Sequence, residues 1–402
     1  GKTIATRGYL PLPPSKLLWQ WKDYIDRKFM EKFDIGHGEL GMGHGAWNNQ
    51  NPIQNPKSKI QNRFCAGCGS KVGGNILETV LNRIQESQSV SQREDIIIGL
   101  NSPDDAAVVK VPTGKVMVQT IDYFTSLIND PYIFGQICVN HCLSDIFAMG
   151  AIPTNVLALA TIPYGKSSTV EETLFQLLSG AVKQLNQARV SLIGGHTIQG
   201  EKLAFGLSCN GLADESQILR KGGMQANNVL ILTKALGTGV LFAGEMRFQV
   251  KGSWIDNAVK SMLLSNQAAA ECFLEFGATA CTDITGFGLV GHLSEMVKAS
   301  KIGVELQLSK IPILDGAREI SAKGIFSSLY PDNLQASSYI TNNKDFEFNG
   351  NYPLLFDPQT SGGLLASVSG EKADGCLKKL KELGYEEAEI IGFVGGERIK
   401  LV

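Results

Sequence analysis

The sequence has no long apolar run and no large excess of either charge. No stretch reaches the roughly 18 apolar residues of a membrane-spanning helix, and no secretory signal peptide is visible. The 402 residues carry a net charge of -2, which argues against a nucleic-acid binder that works through bulk charge. These absences predict a protein without an integral membrane segment and without a nucleic-acid partner.

The sequence also lacks a disulfide pattern. Its 8 cysteines are spread along a long chain and mostly lie in apolar stretches, as buried free thiols do. Apolar residues make up 43% of the chain and charged residues 19%, enough to build complete cores. Length and composition predict two or three domains in the reducing cytoplasm.

The sequence patterns divide the chain into four parts. Residues 15–33 place apolar side chains at helical spacing, which predicts an amphipathic helix within a distinct segment, 1–35. That helix could pack on a core, or bind a membrane surface or a partner. Residues 36–63 predict a flexible linker. Alternating strands and helices follow, which predicts a mixed α/β fold in two domains, 64–215 and 216–402.

Several local predictions bear on the later argument. Asp130 followed by Pro131 predicts the start of a helix that ends near Gly150. A strand over 190–193 should end in a Gly-Gly turn, and residues 255–276 predict one continuous helix. The stretch 325–352 has little periodicity and predicts loops.

Two cysteines, several glycines and a lysine lie close together in residues 64–71, Phe-Cys-Ala-Gly-Cys-Gly-Ser-Lys. The spacing of Cys65 and Cys68 could mark half of a zinc site, a redox pair or coincidence. Cys138 and Cys142 are the other candidates for a zinc site, but the apolar face of a predicted helix accounts for them without a metal. Lys71 could lower the pKa of the Cys68 thiol or bind a phosphate.

Aspartates recur at strand ends, on one helix and in a glycine-rich turn. They are Asp104, Asp105, Asp122, Asp145 and Asp283. A carboxylate at an apolar terminus is costly to bury unless it is paired or metal-bound, and magnesium prefers hard oxygen ligands. Each aspartate could instead cap a helix or a turn. Together they favour a site for magnesium ions on a triphosphate.

After the 64–71 segment and the aspartates, the third feature of the sequence that could carry chemistry is a set of turns that combine glycines with hydroxyl residues. Gly194, Gly195, His196 and Thr197 follow an apolar strand and could present free amides to a phosphate. Neither a Walker A loop nor a dinucleotide-binding Gly-x-Gly-x-x-Gly pattern is present, so ATP would have to bind in another way. The segments 236–239 and 359–363 could serve phosphates too, or be ordinary turns.

Six of these motifs occur in one order along the chain, at 66–71, 104–108, 143–150, 194–197, 282–288 and 356–363. Together they resemble selenophosphate synthetase (selenide, water dikinase) over residues 64–402. Residues 1–35 resemble the C-terminal tail of an NADH dehydrogenase-like flavoprotein, a domain sometimes fused ahead of such synthetases. The resemblance therefore implies an upstream flavoprotein domain as a further partner.

The resemblance implies an α/β fold of the aminoimidazole ribonucleotide synthetase-like ATP-binding superfamily and a homodimer built through the N-terminal domains. It implies a phosphotransferase that converts ATP, selenide and water to selenophosphate, AMP and phosphate, with Mg2+ and K+ as cofactors. By matching position, Cys68 is the reactive cysteine and Lys71 its partner at the phosphates. The implied metal ligands are Asp105, Asp145 and Asp283. The implied ATP contacts are Lys71, Ser102, Pro103, Asp104, Asp122, Asp145, Gly194, Gly195, His196 and Thr197.

Two positions depart from the family pattern. Ser70 stands where some relatives carry a second cysteine, which excludes a redox pair with Cys68, and His141 stands where relatives usually have Asn. Two alternatives remain open. One is a related ATP-using enzyme, such as aminoimidazole ribonucleotide synthetase or the hydrogenase-maturation dehydratase, although these lack the Cys-Gly-x-Lys segment. The other is a catalytically silent regulatory homologue.

Overall fold

The computed structural model describes residues 6–7, 10–11, 74–87, 93–98, 100 and 108–402. The chain splits into two compact units, Gly1–Arg63 and Phe64–Val402. In the first unit the described residues form two short paired strands, β1 (Thr6–Arg7) and β2 (Leu10–Pro11). The predicted helix over 15–33 and the linker lie outside the described residues. The boundaries of the four predicted parts stay predictions.

The N-terminal half of the second unit consists of a four-stranded sheet with helices packed on one face. Its elements are α1 (Gly74–Ser87), the paired short strands β3 (Ile96–Ile98) and β4 (Val108–Val109), β5 (Val116–Thr125), α2 (Pro131–Ala148), β6 (Ile152–Pro163), α3 (Ser167–Gln187), β7 (Ser191–Gly200) and β8 (Ala204–Ala213). The sheet order is β5-β8-β6-β7, with β8 antiparallel to both neighbours and β6 parallel to β7. Helix α2 packs on β8, and α3 packs on α2.

Helix α2 begins where the sequence predicts. The Asp130 side chain accepts a hydrogen bond from the Ile133 N–H at 2.9 Å, and Pro131 occupies the first turn, where a missing N–H costs nothing. Gly150 follows the helix at φ 67°, a backbone conformation that glycine adopts without strain. Residues 134–140 are all buried, so α2 is a core helix rather than an amphipathic surface helix.

The rest of the second unit surrounds a six-stranded sheet of order β10-β12-β9-β13-β11-β14. Its elements are β9 (Asn228–Leu232), α4 (Thr238–Glu245), α5 (Gly252–Leu263), α6 (Gln267–Glu275), β10 (Ala280–Asp283), α7 (Gly288–Ser300), β11 (Val304–Leu306), α8 (Ala317–Ala322), α9 (Tyr330–Asn333), β12 (Leu364–Ser369), α10 (Gly370–Glu382), β13 (Glu389–Val394) and β14 (Ile399–Leu401). The mixed α/β prediction is confirmed. Within the described residues, no helix is both long and apolar enough to cross a membrane.

Three local predictions need correction. The continuous helix over 255–276 is wrong, because α5 ends at Leu263 and α6 begins at Gln267. The strand that should stop at residue 193 continues to Gly200, so residues 194–197 belong to an edge strand rather than a turn. The stretch 325–352 contains α9 and the 3-10 turns Leu334–Tyr339 and Asn343–Asp345, in addition to loops.

Candidate active site

Three of the predicted site aspartates converge from distant parts of the sequence. Asp122 lies on the half-buried side of β5, Asp145 in the last turn of α2 and Asp283 at the end of β10. Burial first, and then the charge of Asp145, raises the pKa of Asp122 to about 6. The same two causes, with Asp122 contributing further, raise the pKa of Asp283 to about 7. The three carboxylates are therefore close enough to repel one another.

Strand β5 supports this group with a second side chain. Thr120 lies two residues before Asp122, on the same face of the strand, and its hydroxyl donates to Asp145 Oδ2 at 2.6 Å. A hydrogen bond to an ionised carboxylate is stronger than one between neutral groups. The strand thus supplies one carboxylate and orients another.

His141 lies one helical turn before Asp145 and connects α2 to the 359–363 segment. Its Nδ1 accepts the backbone N–H of Ser361 at 3.0 Å, and its ring meets Phe124 edge-on at a centroid distance of 5.0 Å. Desolvation lowers the pKa of His141 to about 4, so the imidazole is neutral near pH 7. The histidine at position 141, where family members usually have asparagine, therefore acts as a hydrogen-bond acceptor.

Lys234 is a buried lysine that sequence analysis missed. It lies just beyond β9, is 3% exposed, and its Nζ donates to the carbonyl oxygens of Leu264 at 2.5 Å and Ser361 at 3.0 Å. Burial lowers the pKa of Lys234 to about 7, and the charge of Asp283 acts in the opposite direction. The available signal in the sequence was a single lysine two residues after the apolar strand 228–232, where a buried charge needs hydrogen-bond partners.

The glycine turns at 236–239 and 359–363 pack on each other. The Gln359 Oε1 accepts the backbone N–H groups of Gly237 and Thr238 at 3.0 and 3.1 Å, and its Nε2 donates to Asp357 Oδ2 at 2.9 Å. Helix α4 begins at this point, so its first amides already have a protein partner. For the turn at 236–239 this favours a structural role over phosphate binding.

Residues 194–197 pair with β6 along the edge strand β7. Gly195 lies so close to β6 that a Cβ there would collide with the Ala158 carbonyl oxygen, so the position requires glycine. Gly195 and His196 are exposed, whereas Gly194 and Thr197 are half-buried. Contact of these four residues with ATP stays a prediction.

The described cysteines are buried free thiols. Cys138 and Cys142 lie on α2 with their sulfur atoms 3.7 Å apart, and they donate to the backbone oxygens of Phe205 and Asp122. Burial raises the pKa of Cys138 well above its ordinary value, so it is protonated and a poor metal ligand. The apolar helix face therefore accounts for these two cysteines.

The other predicted site residues lie outside the described residues. They are Cys68, Lys71, Ser102, Pro103, Asp104 and Asp105. Among the described residues, no group of three or more His, Cys, Asp and Glu side chains is arranged to hold a metal ion. The two implied metal ligands among the described residues, Asp145 and Asp283, nevertheless have the hard carboxylate oxygens that a divalent cation prefers, and a bound cation would offset their mutual repulsion.

Comparison with known proteins first defines the class. Residues 103–213 match the family model "AIR synthase related protein, N-terminal domain", and residues 225–402 match the corresponding C-terminal domain. Thiamine-monophosphate kinase from Stenotrophomonas maltophilia K279a has the same fold, with a TM-score of 0.60 at 17% identity over 82% of this chain and 97% of that one. Hydrogenase maturation protein HypE in complex with ATP gives 0.62 at 16% identity over 82% and 88%. The chain is an AIR synthase related protein.

Curated relatives narrow this class. The selenide, water dikinase of Carboxydothermus hydrogenoformans is 38% identical over 341 residues, covering 84% of this chain and 96% of the relative. That of Clostridioides difficile is 35% identical over 333 residues, covering 82% and 92%. The chain belongs to the selenide, water dikinase family. The resemblance of residues 1–35 to a flavoprotein tail stays a prediction.

Proposed function

We propose that this chain makes selenophosphate from ATP, selenide and water and releases AMP and phosphate. The observation that carries the proposal is the convergence of Asp122, Asp145 and Asp283 in a chain of the selenide, water dikinase family. Carboxylates that repel one another at a buried site are poorly placed unless a cation joins them. A triphosphate brought in with magnesium would meet this requirement.

Asp145 and Asp283, with Asp105, would hold the magnesium, and Asp122 would contact ATP. Bound magnesium would offset charge on the phosphate oxygens during phosphoryl transfer. Thr120 keeps Asp145 oriented for this role through its 2.6 Å hydrogen bond. Residues 194–197 and 102–104 are the remaining proposed ATP contacts, and K+ is proposed from the family resemblance.

Cys68 and Lys71 are the proposed reactive pair. Selenide is already an anion near neutral pH, so the reaction needs no strong general base, but water must be kept out until selenide has reacted. The glycines around Cys68 would permit its segment to deliver selenium to phosphates that Lys71 helps to hold. Unchanged selenide-dependent AMP formation in Cys68→Ala would contradict this delivery role.

The four-stranded sheet supports a homodimer built through the N-terminal domains. Its face away from the helices exposes large apolar side chains on two strands. These are Met117, Ile121, Tyr123, Ile152 and Leu157, with Ile121 and Ile152 65% and 69% exposed. We call this surface the open face. A cluster of exposed apolar side chains marks a protein interaction surface, and a second copy would cover both open faces at once.

The remaining proposals concern the cell and the upstream domain. The free, buried thiols fit a reducing compartment, and we propose the cytoplasm. The family resemblance supports an upstream flavoprotein domain as a partner.

ATP turnover with and without selenide, scored separately for AMP and ADP, tests the proposed reaction. We expect AMP and phosphate only when selenide is present. ADP as the sole product, without selenide dependence, would favour an aminoimidazole ribonucleotide synthetase-like or dehydratase-like activity. Absence of turnover in the magnesium-loaded protein would favour the silent homologue.

A further inference from the structure

The break between α5 and α6 is one place where helix α2 of the N-terminal half is hydrogen-bonded to the C-terminal half of the second unit. A helix that stops leaves carbonyl groups without partners. Here side chains from α2, from Lys234 just beyond β9 and from the 359–363 segment donate hydrogen bonds to those carbonyls. The bonds are Ser361 Oγ to Met262 O at 2.8 Å, Asn140 Nδ2 to Leu263 O at 2.8 Å and Lys234 Nζ to Leu264 O at 2.5 Å.

Asn266 lies in this break and is 1% exposed. Its Nδ2 donates to Ser144 Oγ and to the Gly362 carbonyl oxygen, both at 2.9 Å. Because a carbonyl oxygen can only accept, the amide nitrogen must face Gly362, which fixes the orientation of the side chain. The Oδ1 atom of Asn266 is left buried without a hydrogen-bond partner. An unsatisfied buried acceptor is costly, so stabilising the core does not by itself explain an asparagine here.

Both partners of Asn266 adjoin the proposed metal ligands. Ser144 directly precedes Asp145 on α2, and its side chain lowers the pKa of Asp283, against the larger effects of burial and of the Asp145 charge. Gly362 lies against the residue that follows Asp283, because a Cβ on Gly362 would collide with the Ile284 carbonyl oxygen. The bond from Ile284 N to Gly363 O at 2.8 Å holds the two segments in this position.

We infer that Asn266 is a positioning residue that sets the separation of Asp145 and Asp283 by bridging Ser144 and Gly362. The two carboxylates come from different halves of the unit, and Asn266 joins the backbone segments next to each of them. This inference rests on the proposed function in so far as these aspartates hold the magnesium. Side chains that support metal ligands contribute about 10- to 100-fold to metal affinity.

Mn2+ binding to the whole chain, measured by electron paramagnetic resonance with a non-hydrolysable ATP analogue, tests the inference. Mn2+ is a suitable probe because it shares the oxygen preference of magnesium. For Asn266→Ala we expect a Kd for Mn2+ about 10-fold or more above that of the unmodified chain. Asn228→Ala is the matched control, since Asn228 is also buried and donates twice through Nδ2, to Thr279 and Ser367.

Both variants should lose similar stability, but only Asn266→Ala should lose metal affinity. An unchanged Kd in Asn266→Ala, or an equal loss in Asn228→Ala, would overturn the inference. If Asn266→Ala does not fold, Ser144→Ala removes one end of the bridge and should weaken Mn2+ binding in the same direction, and an unchanged Kd there would overturn it. Metal binding is scored without selenide, so failure of the proposed reaction is seen separately as absence of selenide-dependent AMP.

Discussion

The two large sheets of the second unit differ in what covers them. Side chains of β9 alternate between two cores, with Val229 and Ile231 in the core shared with the N-terminal helices and Leu230 and Leu232 in the other. The four-stranded sheet has helices on one side and the open face on the other. A sheet covered on both faces buries its apolar side chains within one chain, whereas a sheet that exposes an apolar face can bury it only against a partner. Asp122 belongs to the sheet with the open face.

The largest expected effect comes from placing a charge on the open face. Ile121→Glu should raise the dimer dissociation constant by at least about 100-fold, because burying an unpaired carboxylate costs several kcal/mol. Analytical ultracentrifugation across a concentration series measures this. Phe348→Glu makes the same kind of change at a residue that is 99% exposed in the C-terminal half, and it should leave assembly unchanged. A monomeric unmodified chain, or a dimer that persists in Ile121→Glu, would contradict the proposed interface.

A second test compares truncation in the two sheets. Leu230→Ala should lower the free energy of unfolding by about 3 kcal/mol, because Leu230 is fully buried and its removal leaves a cavity. Leu157→Ala on the open face should cost less than about 1 kcal/mol in the Ile121→Glu background, where no partner covers Leu157. Urea unfolding of both variants in that background measures the difference. Equal losses would mean that the open face is packed within the monomer.

The smallest expected effect concerns the carboxylates between the sheets. Burial and the charge of Asp145 raise the pKa of Asp283 to about 7, above its unfolded value near 3.8. Between these values the folded state binds a proton that the unfolded state does not, so this group's contribution to stability falls as pH rises and stays low above pH 7. Without metal, the free energy of unfolding of Asp283→Asn, relative to that of the unmodified chain, should therefore rise by about 1–3 kcal/mol between pH 5 and pH 8.

Urea unfolding in a chelator at both pH values measures this gain. Asp256→Asn is the control, because it makes the same substitution at an exposed aspartate on α5. An equal difference between Asp283→Asn and the unmodified chain at pH 5 and pH 8 would mean that the carboxylate is not destabilised by its site.

Local patterns were sufficient where neighbouring residues decide the structure. The Asp130–Pro131 cap predicted the start of α2. The six ordered motifs likewise predicted a family that the curated relatives confirm. In each case the deciding residues lie within a few positions of one another or in a fixed order.

Sequence patterns failed to predict the structure where contacts with residues distant in the sequence determine it. The break at 264–266 depends on Asn140, Lys234 and Ser361, which supply hydrogen bonds to carbonyls that a continuous helix would satisfy itself. The strand through residues 194–197 is held by pairing to β6, which outweighs the preference of glycine for turns. Lys234 looked like an ordinary charged residue, because its partners lie 30 and 127 positions further along the chain.

The central claim is that a bond forms between phosphorus and selenium at this site. Phosphorus NMR of a reaction with ATP, magnesium and selenide enriched in the spin-½ selenium isotope tests it directly. The account predicts a new phosphorus signal split by the attached selenium, appearing together with AMP and phosphate. Only the signals of ADP and inorganic phosphate, unchanged when selenide is left out, would contradict it.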